Sequence, residues 1–344
     1  MTSLPNEVYE RIKSKLHPSP PDSWQPLTRA SLGGIQILNL TEACYEVDPD
    51  FPFHPDSHPN LPLKDGRLSL MRFGICLVRL PTGTNVLLDA GVGPWIEEVE
   101  KCSGHPVPEK PPHALDKILQ EELGLSLEDI HFVVHSHCHG DHVGWVGSFP
   151  NAVHVLHSKE YEFATYSGCP WKQDAVDRFE PLKEQGRLRL LDGDDDNNIP
   201  IDEEKCPQLT AVLCAGHTPG HIAVRIEGKT AEDEDMPPQV AFYIGDAMHF
   251  AHQVLDPDLV PLFDCCAWKS RPFLPMSNVE TTWMPALRNN SKWHATTSCE
   301  ARRKLLKRIA AEDALLISPH FSPPGMGTVE DAGGQFTYMA AAIE

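Results

Sequence analysis

The stretch His137-Cys138-His139-Gly140-Asp141-His142 decides the reading of this chain. It follows a short apolar run, residues 130–134, that reads as a buried strand. In extended backbone, residues two apart face the same side, so His137 and His139 can point at one metal ion. Gly140 permits a sharp change of direction. Asp141 and His142 then begin a turn or helix and swing toward a second metal. Cys138, between two same-facing residues, should point away. His135 shares the face of His137 by the same spacing and is expected to be structural or to support a ligand. Imidazole and carboxylate donors suit zinc, and also iron, manganese or cobalt.

A close pair of dications needs more donors than this run supplies. Three further candidates, His217, Asp246 and His320, each follow an apolar run with strand character: residues 209–214, 240–244 and 314–317. Catalytic groups collect on loops at the strand ends of a rigid scaffold. Other strands are expected at 34–40, 68–80, 85–89, 152–156, 188–191 and 222–226, with residues 81–84 as a hairpin turn. Helices are expected at 114–122, ended by Gly124, at 159–165 and at 299–311. Strands interleaved with helices point to an α/β chain of two packed mixed sheets with helices outside. Residues 1–33, polar and Pro-rich, read as an N-terminal arm, and 34–344 as one domain. The irregular stretch 250–300, with Trp268, Trp283 and Trp293, reads as a lid or insertion. Trp145, directly after the metal run, reads as the best candidate for a pocket wall.

The net charge of -20 repels phosphate backbones and anionic lipid, so nucleic acid and membrane are poor partners. A small neutral substrate fits better. The ten cysteines form no CxxC pair, and the first residues lack an apolar signal core. Reduced thiols in a cytoplasmic protein are the expectation. The acidic stretch 232–235 reads as a solvated turn.

These segments, taken together, resemble the metallo-β-lactamase fold superfamily. HSHCHGDHVGW at 135–145 is similar to the family's HxHxDH signature, and AGHTPGH at 215–221 to its GHTPGH segment. Gly245-Asp246 resembles its bridging-aspartate segment, Leu88-Asp89-Ala90-Gly91 its LxDxG strand end, and His320 stands where the family has its last metal ligand. The resemblance covers about residues 34–330. It implies an αββα sandwich and a dinuclear hydrolase centre for two divalent ions, zinc first, with iron or manganese as alternatives. His137, His139 and His217 would hold one ion, Asp141, His142 and His320 the other, and Asp246 would bridge them. Asp89 would orient a ligand, and His221 would support its loop.

Within that family, residues 245–249 and 320–327 look most like the branch of quorum-quenching lactonases, organophosphate hydrolases and lactam hydrolases. Asp246 in place of a cysteine argues against the antibiotic-cleaving B1 and B3 types. No flavodoxin-like domain follows His320, which argues against an oxygen reductase. The implied reaction is opening of a cyclic ester or amide by a hydroxide generated on the metals. Asp141 would help orient that hydroxide. His249 stands where some lactonases carry a tyrosine that contacts the substrate carbonyl, and an imidazole can donate the same hydrogen bond. A thioesterase or phosphotriesterase on the same centre is the alternative reading, and a non-enzymatic metal-binding protein a weaker one. The sequence carries no reading of oligomeric state.

Overall fold

Runs such as 86–88 and 132–134 are apolar at every position because both faces of their strands are covered. Val86, Leu88, Phe132 and Val134 point into a core between two sheets, while Leu87 and Val133 point into a second core under helices. The computed structural model describes residues 27–46, 70–93, 115–166, 172–194, 198–229, 237–260, 264 and 296–342, with the backbone of 16–17.

The first sheet holds β1 (Leu16–His17), β2 (Leu27–Leu32), β3 (Ile35–Glu46), β4 (Leu70–Arg79), β5 (Asn85–Leu88), β6 (Phe132–Val134), β7 (Val153–His157) and β8 (Leu188–Leu191). Strands β3, β4 and β5 pair antiparallel, and β5 through β8 run parallel. The parallel steps are bridged by helices, as parallel pairing requires. Helix α1 (Leu115–Leu123) lies between β5 and β6. A single turn, α2 (Gly140–Val143), lies between β6 and β7, and α3 (Ser158–Thr165) and α4 (Lys172–Glu184) lie between β7 and β8. Leu115, Leu119, Phe179 and Leu182 from α1 and α4 fill the core against the outer face of this sheet. Gly124, at φ +64°, ends α1 in the left-handed conformation the sequence suggested, with the Leu125 N–H bonded back to the Leu119 carbonyl.

The second sheet runs β15-β14-β13-β12-β11-β10-β9. Its strands are β9 (Asn198–Asp202), β10 (Cys206–Leu213), β11 (Ile222–Gly228), β12 (Gln239–Tyr243), β13 (Leu315–Ile317), β14 (Met326–Asp331) and β15 (Phe336–Ala340). Only β12 and β13 pair in parallel. Helix α6 (Thr296–Ala311) returns between them, and Leu305, Leu306 and Ile309 cover Phe242 and Leu316. A short turn, α5 (His252–Leu255), follows the end of β12. The result is the αββα sandwich expected.

Several details differ from the sequence expectation. The first sheet already includes β1 and β2, ahead of the boundary expected at residue 34. Gly33 and Gly34, both at positive φ, turn β2 back onto β3. Helix α4 was not foreseen, because only Ala175, Phe179 and Leu182 are buried along a polar helix that contains Pro181. Strand β9 tolerates Pro200 because it is the sheet edge. Most of 250–300 lies outside the described residues, including Trp268, Trp283 and Trp293, as does the acidic stretch 232–235. No helix among the described residues is long and apolar enough to cross a membrane.

Candidate metal centre

The C-terminal ends of β5, β6, β12 and β13 all open toward one place, which is where ligands collect in sheets with parallel strands. Strand β6 delivers His137 and His139, and α2 carries Asp141 and His142. Strand β10 leads to His217, β12 to Asp246 and β13 to His320. The donor atoms of His137, His139, His217 and Asp246 lie within 4.8 Å of one another, as do those of Asp141, His142 and His320. The structure thus brings together the seven residues that the sequence singled out as ligands.

Asp246 stands between the two groups, and its oxygens divide between them. Oδ2 lies 3.5 Å from His137 Nε2 and 3.3 Å from His217 Nε2. Oδ1 lies 3.0 Å from His142 Nε2 and 2.9 Å from His320 Nε2. Asp141 Oδ2 sits 3.5 Å from His142 Nε2 and 3.8 Å from His320 Nε2.

The imidazoles are held from behind. His142 Nδ1 lies 2.7 Å from Asp89 Oδ2, His320 Nδ1 2.7 Å from the Arg72 carbonyl, and His217 Nδ1 2.9 Å from Asp264 Oδ1. Carboxylates and carbonyls only accept, so each of these Nδ1 atoms carries a proton and Nε2 is the nitrogen that faces inward. His137 Nδ1 meets Ser136 Oγ at 3.0 Å, and that hydroxyl itself donates to Asp89. His139 is turned the other way, its Nδ1 2.8 Å from His217 Nε2.

Asp89 is the hub of this support. It holds a positive φ of 63°, uncommon for a residue with a side chain. Its carboxylate accepts from the Ser136 N–H at 2.6 Å, Ser136 Oγ at 2.8 Å, His142 Nδ1 at 2.7 Å and Tyr243 Oη at 2.8 Å. It therefore orients His142 and Ser136. His221 supports its neighbour: its Nε2 accepts the Asp246 backbone N–H at 2.9 Å. Gly245, before Asp246, has φ +47°, and a Cβ there would lie 2.7 Å from that same His221 nitrogen. His135 turns away from the cluster and pairs its Nε2 with His154 Nδ1 at 3.0 Å.

Burial sets the protonation of the ring nitrogens. Desolvation, aided by neighbouring imidazoles, pushes His137 and His139 well below the usual histidine range, leaving them neutral and ready to donate lone pairs. His142 is desolvated too, but Asp246, Asp141 and Asp89 outweigh that cost and raise it. Asp246 is held ionised by His142, His320 and their neighbours against its own desolvation. His249 is pushed down to about 4 by burial and stays neutral at neutral pH. Its Nε2 lies 3.0 Å from Asp246 Oδ2.

Sequence reasoning missed several supports. Buried Glu160, at the start of α3, accepts the Cys138 N–H at 3.0 Å, Thr218 Oγ1 at 2.6 Å and the Gly220 N–H at 3.1 Å. It ties the first ligand run to the His217 loop. Trp145 is no pocket wall: it is buried, packs in the helix-side core and donates its indole N–H to Glu42 Oε1 at 2.7 Å. That bond and the Val92 N–H moderate the desolvation that raises Glu42 to about 7.

The donor set fits a pair of divalent cations. It consists of imidazoles, His137 and His139 among them held neutral, and carboxylates, and the buried His137 Nε2 has no hydrogen-bond partner among the described residues.

Residues 75–231 match the model of the Metallo-beta-lactamase superfamily. That segment, which holds Asp89 and five of the seven clustered residues, is similar to this superfamily. It is 36% identical over 104 residues to N-acyl homoserine lactonase AttM of Azorhizobium caulinodans, a match covering 29% of this chain and 36% of the relative. It is 34% identical over 125 residues to AttM of Rhizobium radiobacter, covering 35% and 44%. The chain thus spans less than half the length of the curated relatives it matches. The solved structure of AidC, a dizinc quorum-quenching lactonase in complex with a product, aligns with a TM-score of 0.63 at 19% identity. That alignment covers 94% of this chain and all of the other, and it shows the shared fold.

Proposed function

We propose that this chain is a dinuclear metal hydrolase that opens the ring of a small neutral lactone. The division of the Asp246 oxygens carries the reading, because a carboxylate with one oxygen toward each donor group is placed to bridge two ions. His137, His139 and His217 would hold one ion and Asp141, His142 and His320 the other, with zinc the metal that imidazole and carboxylate donors favour. When bound, such a pair polarises a carbonyl oxygen and lowers the pKa of water toward neutrality.

The remaining tasks fall to side chains. Asp141, less buried than its neighbours, has its carboxylate at the rim of the cluster, where it can orient water for attack on the ester carbon. His249, beside Asp246 at the centre, is the proposed hydrogen-bonding contact to the substrate carbonyl. Asp89, His221 and Glu160 hold backbone and ring geometry. The names of the AttM relatives support acyl homoserine lactones as the substrate class, and the net charge of -20 favours a neutral ring over an anionic substrate.

The test is one panel. Zinc-loaded protein is assayed against N-acyl homoserine lactones, lactams, thioesters and phosphotriesters. The proposal expects kcat/KM highest on a lactone. A higher value on a thioester or phosphotriester reassigns the substrate class, and a folded protein that takes up no metal ends the reading.

A further inference from the structure

We infer that Asp264, locked in place by Arg302, is the positioning residue that sets the orientation and tautomer of His217. The inference rests on the metal-centre reading above. Neither residue belongs to the motifs that mark the family, and Asp264 comes from the 250–300 stretch, far from His217 in sequence.

Asp264 and Arg302 are both buried, at 3% and 1% exposure. Asp264 divides its carboxylate as Asp246 does. Oδ1 accepts from His217 Nδ1 at 2.9 Å, and Oδ2 accepts from Arg302 Nη2 at 3.3 Å. A buried carboxylate that only accepts forces the proton of His217 onto Nδ1. Nε2, 3.3 Å from Asp246 Oδ2, is then the only ring atom left to serve as a ligand. A carboxylate behind a ligating histidine also raises its basicity.

Arg302 fixes the carboxylate in turn. Its Nε donates to the Ala247 carbonyl at 2.9 Å, and Nη1 donates to the carbonyls of Pro257 and Leu259. One guanidinium therefore holds the residue after Asp246, the turn beyond α5 and the partner of His217. The N-terminal end of α6, which carries Arg302, also packs on the His217 loop: a Cβ on Gly216 would lie 2.9 Å from Ser298 Cα. The side chain of His217 is thus set by the segment between Asp246 and His320 rather than by its own loop alone.

Asp264→Asn is the near-isosteric test, because Arg302 keeps its three carbonyl bonds. Zinc binding is measured on the purified full chain by competition with a chromophoric chelator, beside wild type. Cobalt-loaded protein is compared by visible absorption. The expected result is that one of two zinc equivalents weakens about ten- to a hundred-fold while the other binds as in wild type. The cobalt spectrum should change at one site only. Arg302→Lys, which cannot make the same fork, should shift the same equivalent by less. Unchanged binding of both equivalents overturns the inference. So does equal weakening of both with a lowered melting temperature, which marks a general structural role. A wild-type chain that takes up no zinc overturns the metal-centre reading itself, and the parallel control separates that outcome from the others.

Discussion

The run 137–142 and the three residues that complete the cluster, His217, Asp246 and His320, reach one place by different routes. The first group is local: one strand end, one glycine and one helical turn carry four side chains, with Asp89 and Glu160 as their outside supports. The second group has no such economy. Each member hangs on a different strand end and is aimed by groups from elsewhere: His217 by the Asp264 carboxylate, Asp246 by the His221 ring, His320 by the Arg72 backbone carbonyl. Local spacing chooses the type of chemistry, and long-range packing sets its geometry. Asp89 joins the two routes, since it starts from β5 yet orients His142.

The sharpest way to break this contrast is Asp246→Ala. It should lower zinc content below that of wild type and cost at least ~10²-fold in lactone hydrolysis, since changes behind a ligand alone can cost that much. Metal analysis after gel filtration checks the first part; full occupancy would remove the bridging role. Asp89→Asn asks whether the local run is truly self-sufficient. The amide can offer its nitrogen where four donors now converge, so zinc affinity should fall about ten- to a hundred-fold. An unchanged affinity in a chelator titration would make the run independent of β5.

His249→Phe should reduce turnover about tenfold with both metals retained, the order of one lost hydrogen bond. An unaltered kcat would take this residue out of the substrate site. His221→Ala should have the smallest effect. It leaves the Asp246 N–H without its acceptor, worth about 1 kcal/mol, yet keeps two zinc ions. Loss of one ion would promote His221 from support to ligand.

The sequence made the run 137–142 legible because its donors share a spacing that strand and turn geometry interpret directly. His217, Asp246 and His320 were legible because each follows an apolar run that forms a strand, namely β10, β12 and β13. Asp264 was not, since no periodicity surrounds it and its partners lie far off in the chain. Arg302 lies within the helix expected at 299–311, where nothing in the sequence marks it apart from the other basic residues, yet the fold buries it against three carbonyls. Trp145 misled for a related reason: Glu42, about a hundred residues earlier, offers its indole N–H a buried partner. Strand β2 was hidden by the polar composition of the residues before it. A hairpin needs only Gly33-Gly34 and an alternating partner strand.

The arrangement of the ligands also has a consequence for assembly in time. His137, His139, Asp141 and His142 come from the first sheet, and His217, Asp246 and His320 from the second. A nascent chain still short of β13 holds six of these seven side chains and has no strand from which to hang the last. Any ion the cluster takes up would rivet two layers that must already face each other. The donor group of Asp141, His142 and His320 is complete only once translation has passed His320, whereas that of His137, His139, His217 and Asp246 is complete before it.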